Sequence, residues 1–85
     1  MRSGRVVKAP VDDTTVKKRS LTIAGHRTSV SLEAVFWEAL KRIAVAEGRS
    51  LAALAAEVDR ERGEANLSSA LRVFVVRRLM DARGG

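Results

Sequence analysis

Eighty-five residues allow one small domain, and a chain this short has a thin core unless a second chain supplies cover. Cysteine and tyrosine are absent and His26 is the only histidine, so disulfides, four-ligand metal sites and most acid–base chemistry are excluded; neither an enzyme nor a cofactor is expected. The net charge of +6 is uneven: residues 1–31 hold seven basic and two acidic side chains, residues 32–85 nine and eight, which suits either a polyanion-binding end or a solubilising tail.

Residues 1–18 contain Pro10, scatter their charges and show no apolar periodicity, which predicts a basic mobile arm ahead of a domain over 19–81. The arm lacks the apolar stretch of a secretory signal. Leu21 and Ile23 then share one parity, while Thr28, Val30 and Leu32 share the other. The flip across Ala24-Gly25-His26-Arg27 requires a turn or a bulge near Gly25, and both a short hairpin and a longer kinked strand satisfy it. From His26 to Leu32 apolar and polar residues alternate, so a strand facing the core with Thr28, Val30 and Leu32 turns Arg27, Ser29 and Ser31 outward. A lone strand leaves an open edge, and a second copy of the chain would close it by strand-to-strand pairing.

The period changes from two to 3.6 at Leu32. Val35, Phe36, Ala39, Leu40, Ile43 and Ala44 form the apolar stripe of a helix over about 33–47, and Gly48 stops it. Ser50 caps a second helix over about 51–60, which buries Leu51, Leu54, Ala55 and Val58 before Gly63 ends it. A third helix starts at Asn66 or Ser68 and reaches about Asp81, leaving residues 82–85 as a frayed end. Its Leu67, Ala70, Leu71, Phe74 and Val75 make one apolar stripe, and Val73, Val76 and Met80 make a second beside it. A helix apolar on two sides needs cover on two sides, which argues for a dimer packed through it. No apolar run is long enough to span a membrane, so a cytoplasmic protein without a membrane partner is expected.

Three groups carry candidate chemistry. Arg27 can make a bidentate contact to guanine, and Ser29 and Ser31 can reach base edges or phosphate; an ordinary solvent-facing strand has the same composition. Arg49, Ser50 and the Leu51 amide gather a guanidinium, a hydroxyl and a free backbone donor at a helix start, which suits a phosphate as well as a plain capped connection. Asn66, Ser68, Ser69 and Arg72 repeat that chemistry at the next helix. Phe36 and Trp37 read as core, His26 as a turn residue, and Arg77 and Arg78 as favourable charges near a helix C-terminus that need no partner.

Val30-Ser31-Leu32 leading into Phe36-Trp37-Glu38-Ala39-Leu40, then Ala46-Glu47-Gly48-Arg49-Ser50, resembles the ribbon-helix-helix superfamily of Arc- and MetJ-like repressors. The run from Lys18 to Ser29 and the segment Asn66 to Arg72 look like a bacterial subgroup with an extended N-terminal motif and an extra C-terminal helix. The resemblance covers about residues 18–80. It implies a mainly α fold with one short β-strand, built as an intertwined homodimer whose intermolecular two-stranded antiparallel ribbon enters the major groove of double-stranded DNA. Carried over, Arg27, Ser29 and Ser31 would contact bases, while Arg49, Ser50 and Leu51 would clamp a phosphate and Lys17, Lys18 and Arg19 would flank the DNA backbone. Two departures stand out. Two of the three strand positions are short serines, and residues 68–76 themselves resemble the family's second helix, in which case the clamp would move to Ser68 and Ser69. The expected function is a sequence-specific, repressor-type transcriptional regulator. The alternative is an antitoxin-like adaptor whose apolar third helix docks a protein partner.

Overall fold

The computed structural model describes residues 14–84. Two strands, β1 (Val16–Ile23) and β2 (His26–Glu33), precede three helices, α1 (Ala34–Glu47), α2 (Leu51–Glu61) and α3 (Leu67–Gly84). Residues 1–13 of the expected arm lie outside the described residues, as does Gly85. Val16 to Lys18, which sequence assigns to the arm, are strand, and α3 continues through Gly84 where fraying was expected from residue 82.

β1 and β2 pair antiparallel from Val16↔Glu33 to Ile23↔His26, forming a two-stranded sheet. The parity flip is therefore a hairpin and not a bulge. Ala24 and Gly25 make its loop with φ of 52° and 84°, the two left-handed positions of a type I′ turn, whose twist matches the flanking strands. A two-residue loop sets Leu21 across from Thr28, so the two parities seen in sequence converge on one face. The pairing expected from a second chain is supplied here by β1, the hairpin alternative that the parity flip left open, extended through three consecutive cations, Lys17, Lys18 and Arg19. The described residues thus hold two strands where one was expected, and these pair within one chain.

Ile23, Val30 and Leu32 on that inner face meet Trp37, Leu40 and Ala44 of α1, Leu54, Ala55 and Val58 of α2, and Leu71 and Val75 of α3 in one apolar core. Among the described residues no polar or charged side chain is buried. The helix ends are closed as their sequences predict. Gly48, left-handed at φ 66°, donates to the Val45 carbonyl while the Arg49 amide reaches Ala44, the double bond of a Schellman end. Ser50 Oγ accepts from the Ala53 amide at 3.0 Å, and Asn66 Oδ1 accepts from Ser69 at 2.9 Å. At α1 the preceding Glu33 makes no side-chain cap; the Ala34 amide donates instead to the Thr15 carbonyl at 2.8 Å, which ties the chain before β1 to the helix.

Candidate nucleic-acid interface

The hairpin register sorts its side chains into two faces. Lys17, Arg19, Leu21, Ile23, His26, Thr28, Val30 and Leu32 share the inner face; Val16, Lys18, Ser20, Thr22, Arg27, Ser29, Ser31 and Glu33 share the outer one. The three strand residues expected to point outward do so, and no helix covers Arg27 or Ser29, which are exposed; Ser31 is half-buried. Each faces a polar residue of β1: Lys18 opposite Ser31, Ser20 opposite Ser29, Thr22 opposite Arg27. Among the described residues, the side chains of Lys18, Ser20, Thr22, Arg27 and Ser29 make no hydrogen bond or ion pair. Five unbonded polar side chains thus stand on one ribbon face about 14 Å long, with cations at diagonal corners. Ser20 and Thr22 escape sequence reasoning because their place depends on the loop; Gly25 between two apolar runs was the signal that could have set the register.

The flanking cations are placed differently from one another. Lys18 lies on the outer face, whereas Lys17 and Arg19 belong to the inner face at its solvent-exposed end. Trp37 explains their position: its indole Nε1 donates to the Lys17 carbonyl at 2.9 Å, and the Arg19 guanidinium lies 5.4 Å from its ring centroid. One buried aromatic of α1 therefore pins the basic end of β1 from beneath while the charges stay in water.

The two candidate phosphate clamps also part company. At the start of α2, Arg49 turns inward to Glu57 and Glu47 and bonds the Ala53 carbonyl at 3.3 Å, while Ser50 is occupied as the cap. Glu47 pairs in addition with Arg78 of α3, which stacks on Phe74, so Arg78 has partners that sequence did not foresee. No contact described for Arg49, Ser50 or Leu51 joins them to the ribbon's outer face. The start of α3 is joined to it: Ser68 Oγ donates to the Ser31 carbonyl at 3.0 Å, and Arg72 Nε donates to Glu33 at 3.0 Å while stacking on Phe36. The Arg72 pair offsets the one carboxylate on the outer face. The Glu33 carboxyl is held below its ordinary value by its own backbone amide first and by Arg72 second.

Among the described residues no group of three potential metal ligands gathers, and no helix is long and apolar enough to cross a membrane. The sequence profile of the ribbon-helix-helix domain family matches residues 16–79. Among solved structures, an uncharacterized protein from Bordetella pertussis Tohama I is similar at 36% identity and a TM-score of 0.76, over 93% of this chain and 68% of that one. No curated protein matches.

Proposed function

The chain belongs to the ribbon-helix-helix domain family, and on that footing we propose that it is a sequence-specific, repressor-type transcriptional regulator that binds double-stranded DNA as a homodimer in the bacterial cytoplasm. The family is one of DNA-binding regulators, without enzymatic chemistry. The observation that carries the reading is the hairpin register, which gathers Lys18, Ser20, Thr22, Arg27 and Ser29 on one exposed face with the half-buried Ser31 at its edge beside α3. A two-stranded ribbon fits a major groove ~12 Å wide, and a face of this length spans about four base pairs.

In this reading Arg27 makes the discriminating base contact, with Ser29 and Ser31 reading at short range; the deficit of long side chains leaves part of the specificity to DNA shape. Lys18 holds a phosphate beside the ribbon, and Lys17 and Arg19 add attraction from the same end. The helix start that backs the ribbon is that of α3, since Ser68 touches β2 while Arg49 is engaged by two carboxylates. Ser68 Oγ and the Ser69 amide are themselves bonded, as Ser50 is. It is closeness to the ribbon and not a free side chain that favours Ser68 and Ser69 over Arg49, Ser50 and Leu51 as the phosphate clamp.

The test is selection of genomic DNA fragments by the purified protein at near-physiological salt, followed by titration of the enriched site. Arg27→Ala should weaken binding to that site by ~1–3 kcal/mol and flatten the preference at one base position. Recovery of DNA without a shared motif, or an Arg27→Ala protein that discriminates like the parent, would sink the sequence-specific reading.

A further inference from the structure

The outer face of the hairpin ends, next to the loop, in one cross-strand pair: Thr22 of β1 stands directly opposite Arg27 of β2. Both side chains are exposed, and among the described residues neither makes a hydrogen bond or an ion pair. The loop beyond them, Ala24-Gly25, carries no more than a methyl group, so it puts nothing bulky between this end of the ribbon and a groove floor. Of the five unbonded polar side chains on the face, Thr22 alone has a methyl group. Ser20 and Ser29 offer hydroxyls only, and Lys18 and Arg27 offer charge. The carboxylate of this face, Glu33, lies at the far end and is paired with Arg72.

We infer that Thr22 is a second specificity-determining residue, which reads a thymine on the base pair next to the guanine bound by Arg27. This deepens the proposed function, on which it rests, by naming the base step that the ribbon prefers. Opposed Cβ atoms on one face of an antiparallel pair lie about 4.5–5.5 Å apart, and successive base pairs about 3.4 Å apart. Two side chains at that spacing reach neighbouring base pairs more readily than a single one. A guanidinium matches guanine O6 and N7; the thymine C5 methyl is the main apolar feature of the major groove, and a threonine methyl packs on it. The branched Cβ of Thr22 restricts χ1, so its methyl and hydroxyl are held in fixed places beside Arg27. Threonine is also a good strand former, which alone would account for its presence in β1. The two roles differ in what they change: strand propensity alters stability, whereas a base contact alters which base is preferred.

The test uses duplexes of randomised sequence, selected by the purified full chain at near-physiological salt. The enriched motif should place thymine next to a guanine whose preference is lost in Arg27→Ala. On that duplex, replacing the thymine by deoxyuridine removes only the C5 methyl and should raise the dissociation constant about fourfold, the worth of one buried methyl group. Thr22→Ser removes the methyl from the protein instead; it should cost a similar factor and bind the thymine and deoxyuridine duplexes alike. Thr22→Val keeps a methyl and should still tell the two apart. Both variants should retain the circular-dichroism spectrum of the parent. A parent that binds the two duplexes equally, or a Thr22→Ser protein that still prefers thymine, would overturn the inference while the Arg27 contact stands. Recovery of duplexes with no shared motif would overturn both readings together.

Discussion

Glu33 occupies the junction where the period-two segment becomes a helix, and its carboxylate has three roles that its neighbours keep compatible. It ends β2 on the outer face, precedes α1 without capping it, and pairs with Arg72 of α3. A carboxylate on a face that meets phosphates would repel them; the guanidinium beside it removes that penalty and at the same time ties α3 to the ribbon. Because its own amide and Arg72 both favour the charged form, its folded value lies below the 4.5 of an ordinary glutamate. A depressed carboxyl contributes stability that is fully present above 4.5 and is lost as pH falls through the lower folded value. Thermal melts of the parent should accordingly steepen in their decline as the pH drops below that point, and Glu33→Gln should flatten the decline there. Parallel curves for the two proteins would remove Glu33 from the acid response.

At the scale of elements, the hairpin is the part of the fold most sensitive to local chemistry. Ala24 holds φ at 52°, where an ordinary residue is disfavoured by ~1–2 kcal/mol and Asn much less so. Ala24→Asn should therefore stabilise the protein by about 0.5–1 kcal/mol. Gly25→Ala should destabilise it by about 1 kcal/mol for its left-handed φ alone, since a Cβ there would meet no atom. Opposite shifts in denaturation midpoint confirm the turn type, and two unchanged midpoints reject it. The same turn marks where sequence reasoning reached its limit. The helices, their Gly48, Ser50 and Asn66 boundaries and the outward place of Arg27, Ser29 and Ser31 follow from period and capping, which are local. The first half of β1 was concealed because Lys17 and Arg19 stand on the inner face, where alternation calls for apolar residues; Trp37, twenty residues after Lys17, bonds the Lys17 carbonyl and gives the Arg19 guanidinium a ring to lie over. The Arg49–Glu57 and Arg78–Glu47 pairs join different helices, and spacing along the chain says nothing about the distance between helices.

For the whole molecule, closing the ribbon inside one chain changes what a dimer presents to DNA. A ribbon shared by two chains is one reader on the two-fold axis. Under the proposed function each chain carries its own two-stranded reader, with the start of α3 fastened to it through Ser68 and Ser31. Two such readers, one on each chain of the proposed homodimer, would occupy separate stretches of groove. Equivalent groove positions on one side of a duplex lie ~34–36 Å apart, one DNA turn. The preferred site should then consist of two half-sites about one turn apart, separated by base pairs whose identity matters little. Inserting about five base pairs between the half-sites rotates them to opposite sides of the duplex and should reduce affinity to that of a single half-site, while an insertion of about ten should recover part of the loss. A footprint on one uninterrupted element, insensitive to flanking insertions, would instead place both hairpins side by side in one stretch of groove.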